Sequence, residues 1–113
     1  MIVMHGYFEI GDAVSEGDFK QAFDSFSLHL REMDYVQNWT FMRRKPHDGY
    51  DNRSPNGPFS VSIDFADMAT AQACYDYVAA NNEPLRSLHR AVFSKVVKST
   101  TSFVLLEEVS PEE

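Results

Sequence analysis

Cysteine occurs once in these 113 residues, at Cys74, which excludes an intramolecular disulfide framework and any zinc site built on several thiolates. Cys74 falls within an apolar helical pattern, where a buried, inert thiol is expected rather than a nucleophile. Long apolar runs are missing too. None approaches the ~20 residues of a membrane-crossing helix, so no membrane partner is expected. Positive charge is scarce: ten Lys and Arg stand against 17 Asp and Glu, for a net charge of −7. Such a surface repels phosphate backbones and anionic lipid, so nucleic acid is not an expected partner either. Met1–Ile10 has no basic start and is interrupted by His5 and Glu9. It does not read as a secretory leader, and cytoplasm is the expected compartment. There is no Gly-rich phosphate loop, no Gly-x-Ser-x-Gly elbow and no dinucleotide fingerprint, so no cofactor is expected. His5, His29, His47 and His89 form no His-x-His or His-x3-His pair, and no metal is expected.

What is present suits a packed sheet. Apolar residues make up 43% of the chain and aromatic ones 13%, with nine Phe and five Tyr, enough for a core and well suited to pleated surfaces. The length fits one domain over residues 1–113. Charge is spread unevenly. Seven acidic side chains in residues 1–35 face only Lys20 and Arg31, whereas Arg43, Arg44, Lys45 and Arg53 form one basic cluster and Arg86, Arg90, Lys95 and Lys98 another. These clusters are either solvated edges or two halves of an anion site.

Ile2–Ile10 reads as a strand with Ile2, Met4, Phe8 and Ile10 on one face and Val3, His5, Tyr7 and Glu9 on the other. Ser15 and Asp18 resemble a capping box before a helix whose stripe is Phe19, Ala22, Phe23, Phe26, Leu30 and Met33. Val36–Lys45 reads as a second strand. The segment 46–58, with Asp-Gly, Asn-Gly and three prolines, reads as a long flexible loop. Phe59–Phe65 alternates strictly. Asp67 caps a helix over about 68–80, buried through Ala71, Cys74, Tyr75 and Val78. Pro84, expected in a first turn, starts a short helix with Leu85, Leu88 and Val92 inward. Thr100–Val109 is the last strand, and 110–113 is a tail. The order is β-α-β-β-α-β, an α+β, ferredoxin-like sandwich: a four-stranded antiparallel sheet with its helices on one face.

Helices on one face leave the other to be explained. The rows Ile2/Met4/Phe8/Ile10 and Phe59/Val61/Ile63/Phe65 belong beneath them, which puts Val3, His5, Tyr7, Ser60, Ser62 and Asp64 on the reverse side. For the second strand either Trp39/Phe41/Arg43 or Val36/Asn38/Thr40/Met42 can face the helices. In the last strand Phe103/Leu105 and Val104/Leu106 are both apolar, so cover on both sides is expected. A reverse face this apolar suggests an interface, and a two-fold pairing with a second copy satisfies it.

Two stretches carry a family resemblance. Met4-His5-Gly6-Tyr7-Phe8-Glu9-Ile10 is similar to the His-bearing first strand of stress-responsive A/B barrel proteins. Phe65-Ala66-Asp67 through Tyr75, followed by Glu83-Pro84-Leu85-Arg86-Ser87-Leu88-His89, resembles the strand, helix and His-containing short helix that those proteins share with antibiotic-biosynthesis-type monooxygenases. Over residues 2–109 the chain thus resembles the dimeric α+β barrel superfamily. The resemblance implies two sheets paired face to face in a homodimer.

The candidate site residues follow from these faces. His5 shares a strand face with Tyr7 and Glu9 in a sheet that also holds Asp64; it is either a proton shuttle or an interface histidine. His89 follows Leu85 by four residues, which turns it beneath its helix, as a pocket wall or as a satisfied core histidine. His29 and His47 are expected in solvent. Tyr7, Trp39, Arg43 and Asp64 are candidate ligand contacts, although interface packing alone would also explain Trp39. Asn38, Trp39 and His89 supply the residue types used by heme-degrading relatives, but Asn and Trp are adjacent here, so heme is not expected. The aromatic and basic central strands of an RNA-binding sheet are missing. Three readings remain. The first is a homodimeric barrel that is stress-associated or holds a small apolar or aromatic ligand without catalysis. The second is a cofactor-independent monooxygenase or isomerase acting on an aromatic or polyketide-like substrate. The third is a small-molecule sensor with 46–58 as its lid.

Overall fold

A computed structural model describes residues 1–46, 49 and 57–112. Strict alternation sets the centre of the fold. Strand β1 (Ile2–Phe8) and strand β3 (Phe59–Phe65) pair antiparallel, with Ile2 opposite Phe65, Met4 opposite Ile63, Gly6 opposite Val61 and Phe8 opposite Phe59. Residues opposite one another share a face, so these pairs form one apolar surface and the pairs Val3–Asp64, His5–Ser62 and Tyr7–Ser60 form the reverse. Strand β2 (Asn38–Arg43) adds outside β3 and strand β4 (Ser102–Glu107) outside β1, giving the order β2-β3-β1-β4, antiparallel throughout.

Helix α1 (Glu16–Glu32) begins where Ser15 Oγ accepts from the Asp18 backbone N–H at 3.0 Å, as the capping pattern requires. Phe19, Phe23, Phe26 and Leu30 are buried from it. The stripe ends one turn earlier than its spacing implies: Met33 is the C-cap residue and is 44% exposed, because Asp34 turns the chain through φ 65°. Helix α2 (Met68–Ala79) is capped by Asp67, whose carboxylate accepts from the Thr70 N–H at 2.8 Å, and Asn81 at φ 58° closes it. Ala71 and Cys74 are its buried residues. Helix α3 (Leu85–Phe93) buries Leu85 and Val92. Pro84 occupies its cap, one residue before the first turn where the sequence suggested it, and the Glu83–Pro84 peptide is cis.

The helices lie on the Ile2/Met4/Phe8 side of the sheet, and the molecule is a slab of 46 × 41 × 21 Å, two layers deep. Register settles the ambiguity of the second strand: Trp39, Phe41 and Arg43 fall opposite Ile63, Val61 and Phe59, on the helix side. Three expectations are corrected. The first strand ends at Phe8 and keeps only an isolated bridge from Ile10 to Val96. The last strand is confined to 102–107, because Lys98–Thr100 form a 3-10 turn in which Thr100 Oγ1 accepts a hydrogen bond from the Glu9 N–H. Most importantly, the helices of this chain cover β4 only partly: Phe103, Val104, Leu105 and Leu106 are 39–50% exposed. It is an edge strand, and alternation alone does not say where the helical layer stops. The expected loop 46–58 lies largely outside the described residues, as do His47, Arg53 and the last residue of the tail.

The end of the α1 stripe is open to measurement. Leu30→Ala, at 1% exposure, is expected to cost about 2–5 kcal/mol of unfolding free energy. Met33→Ala is expected to stay within about 0.5 kcal/mol. Urea denaturation reads both; equal losses would put Met33 back on the core stripe.

Candidate functional site

Between the sheet and the helices lies a cavity of about 360 Å³, within the size range of small-molecule pockets. Its floor is the apolar face of the central strands, Met4, Val61 and Ile63. Phe23 and Phe26 of α1, Cys74 and Tyr75 of α2, and His89 and Phe93 of α3 form the roof, and Phe103 and Leu105 of β4 close one side. Among the described residues no Asp, Glu, Lys or Arg lines it. The cavity exists because three helices and an aromatic-rich sheet meet with large rings that fill their corners and leave the middle open.

His89 is the one imidazole on this wall among the described residues. Helical spacing from Leu85 turns it beneath α3, where its ring stands 5.6 Å from Phe26 and 4.6 Å from Phe93, centroid to centroid. It is half-buried, and burial holds its pKa below the usual histidine value of 6.5. No described residue hydrogen-bonds to it. The ring is therefore neutral at physiological pH and carries an acceptor nitrogen within an apolar wall. Its neighbours on the wall stay protonated: burial pushes the Cys74 thiol up to about 11, and burial, then the nearby Cys74, raises the Tyr75 phenol. Cys74 is thus the buried thiol that the helical pattern implied.

The other candidates are distributed over two further places. His5, Tyr7 and Asp64 lie on the open face of the sheet, opposite the cavity. There the His5 and Tyr7 rings stack at 4.9 Å and 8°, and Thr40 and Ser62 share a 2.6 Å hydrogen bond. Trp39 and Arg43 face the helix side but join α1 and are absent from the cavity wall. Trp39 Nε1 donates to Asp24 Oδ1 at 2.9 Å beneath the Arg31 guanidinium, 4.7 Å from the ring centroid, and Arg43 meets Glu16 at 3.3 Å. Burial raises Asp24, but its hydrogen bonds from Lys20 and Trp39 outweigh that and leave its pKa lowered. Of the six candidates, only His89 lines the cavity.

His29 is not solvated as its helical position suggested. Its Nε2 lies 2.9 Å from the Tyr77 hydroxyl, a partner 48 residues away that no local spacing reveals. Phe93 and Phe103 were likewise missed as wall residues. The signal available for Phe103 was Gly6, a glycine in the middle of an alternating strand, which often marks close approach by another group. Among the described residues no cluster of His, Cys, Asp and Glu could hold a metal, and no helix is long and apolar enough to cross a membrane.

The direction of the His89 shift has a consequence for stability. Well above pH 7 His89 is neutral in both the folded and the unfolded chain. As pH falls through 6.5 the unfolded chain takes up a proton that the folded chain resists, so stability declines until the lower folded pKa is passed. His89→Leu is therefore expected to lose less stability than wild type between about pH 7 and pH 5 in denaturant titrations. Parallel profiles would show that His89 is not held neutral by burial.

No curated protein matches the chain in sequence. Among solved structures, the protein At3g17210 of Arabidopsis thaliana superposes with a TM-score of 0.70 at 8% identity, covering 97% of each chain. A point variant of SnoaB, a cofactor-independent oxygenase of Streptomyces nogalater, gives 0.67 at 10% identity, over 99% of this chain and 97% of that one. A dimeric ferredoxin-like protein of unknown function from Jannaschia sp. CCS1 gives 0.66 at 13% identity, over 96% and 100%. At these identities the likeness is one of fold, to the ferredoxin-like and SnoaB-type α+β barrel proteins. A family model matches residues 1–105, and the chain belongs to that family, the family of unknown function DUF6614.

Proposed function

We propose that this chain works as a homodimeric α+β barrel that holds a small, uncharged, carbon-rich molecule in the cavity between helices and sheet. The observation that carries the reading is the cavity itself, about 360 Å³ of apolar wall with a neutral imidazole among its few hydrogen-bonding groups. An uncharged guest is favoured because a carboxylate or ammonium group buried there would have no counter-charge. Aromatic guests are favoured because Phe23, Phe26 and Phe93 offer ring faces and edges. The functional unit is residues 1–113 as one ferredoxin-like domain. A cytoplasmic setting suits its single, buried thiol.

The homodimer rests on the open face. Val3, Tyr7, Met42, Val104 and Leu106 stand there among His5 and the Ser, Thr, Asn and Asp side chains of β2 and β3. A specific interface takes about 800 Å² from each partner, about a tenth of this chain's 7431 Å². The likeness to a Jannaschia protein that is dimeric supports a dimer. His5 and Tyr7 are then interface residues, with the cavity on the far side of the sheet.

A second reading is favoured by His89 specifically. A neutral imidazole in a dry wall is placed to take a proton from a weakly acidic hydroxyl or carbon acid of a bound aromatic substrate, and the SnoaB likeness supports a cofactor-independent chemistry of that class. Under this reading His89→Leu retains the bound molecule and loses turnover.

Both parts of the reading have a direct test. Titration with the neutral fluorophore 1-aminoanthracene is expected to saturate at one molecule per chain. Val78→Phe, which fills the cavity from α2, is expected to weaken it about tenfold or more without lowering the melting temperature. Undiminished binding to Val78→Phe would place the probe elsewhere and overturn the cavity reading. Sedimentation at micromolar concentration is expected to show twice the 12.9 kDa chain mass, falling to a single chain in a Val104→Lys, Leu106→Lys double variant. A wild-type species of one chain mass would overturn the dimer.

A further inference from the structure

We propose that molecules reach the cavity between α3 and β4, past the Phe103 ring, and that Gly6 makes this passage workable by leaving the ring a seat on β1. The inference rests on the cavity reading above and adds the route and the residues that control it. Most of the cavity wall is sealed: Phe8, Phe19 and Phe65 are 1–2% exposed. Phe103, Val104 and Leu105 line the same cavity yet are 45%, 46% and 39% exposed. A residue that touches both the cavity and solvent stands at its mouth, and these three are consecutive on one edge strand.

The mouth is a built arrangement of rings. Phe103 lies directly opposite Gly6 in the β1–β4 register, on the helix side of the sheet. A Cβ at Gly6 would come within 2.5 Å of Phe103 Cε1 and 2.6 Å of Cδ1. The ring therefore rests on bare β1 backbone, between the side chains of Met4 and Phe8 on the same face. From there a row of rings leads inward: Phe103 to Phe93 at 6.3 Å, Phe93 to His89 at 4.6 Å, and His89 to Phe26 at 5.6 Å. A guest passing Phe103 and Phe93 meets the His89 imidazole next, so the route delivers its polar end to the one polar ring of that row.

Two features let Phe103 act as a gate. An exposed ring changes rotamer on the picosecond to nanosecond scale, and β4 is paired on only one side, to β1. Phe103 and Leu105 also point away from the open face, where Val104 and Leu106 lie. Pairing two open faces covers Val104 but leaves the Phe103 and Leu105 side of the mouth accessible.

Gly6→Ala and Phe103→Ala reach the same outcome by different means. The first adds a methyl where the ring rests and drives the ring outward into solvent; the second removes the ring. In stopped-flow mixing with 1-aminoanthracene, each is expected to raise both association and dissociation rates about tenfold, with the equilibrium affinity changed less than about threefold. Phe103→Trp is expected to slow both rates. A merely structural role for Gly6 would lower the melting temperature and leave the rates alone. Should Gly6→Ala not fold, the two Phe103 variants carry the test. Wild-type uptake with unaltered rates in both Phe103 variants would overturn the gate while the cavity reading stands. Absence of uptake by wild type, or uptake undiminished in Val78→Phe, would overturn both.

Discussion

β1 and β3 pair so that Ile2, Met4 and Phe8 fall opposite Phe65, Ile63 and Phe59, and the rest of the molecule is arranged around that apolar surface. A slip of one residue would turn Val3, His5 and Tyr7 toward the helices and put the phenylalanines in water, so burial fixes the register. α1 and α3 then have one face to cover, and their phenylalanine and leucine side chains cover it. The two edge strands fare differently. β2 is held to α1 through the Trp39–Asp24 hydrogen bond and the Arg43–Glu16 pair. β4 has only β1 beside it, and all its residues are exposed. The asymmetry between these edges gives the molecule a sealed side and an accessible one.

That asymmetry links packing to chemistry. The cavity is roofed by large rings that cannot interlock without voids, and it opens toward the edge that no helix seals. His89 lies on the wall nearest that opening. Burial removes its charge at neutral pH, which keeps an acceptor nitrogen available and leaves the cavity free of charged groups. Cys74 and Tyr75 are subject to the same desolvation and are held in their protonated, neutral forms. The result is a neutral interior within a chain of net charge −7. The acidic groups of the described residues lie outside the cavity wall, on helices, in loops and on strands such as β3 with Asp64, where water screens them.

The open face obeys different physics. Stacked His5 and Tyr7, the Thr40–Ser62 hydrogen bond, and apolar Val104 and Leu106 make it a mixed surface, polar along β2 and β3 and apolar along β1 and β4. Mixed surfaces of this kind are common where protein meets protein, since interfaces as a whole are hardly more apolar than ordinary surface. Residues that the sequence groups as site candidates therefore divide by sheet face: His89 belongs to the cavity, His5, Tyr7 and Asp64 to the open face, and Trp39 and Arg43 to the β2–α1 seam.

Alternation in Phe59–Phe65, the Ser15 and Asp67 caps and the stripe from Phe19 to Leu30 were enough to determine the order of elements and the ferredoxin-like fold, because strand and helix periods are local properties of the chain. The burial of Cys74 and the inward turn of His89 were legible for the same reason, being set by helical spacing. Register across strands was not. Whether Trp39 faced the helices, and which candidates shared a face, depended on pairings between residues tens of positions apart. Nor did the sequence tell that the helices would stop short of β4, that His29 would meet Tyr77, or that Phe103 would rest on Gly6 beside a cavity. Each of these follows from how far the helical layer reaches over the sheet and how bulky rings fill the space between, and such distances exist only once the layers have met.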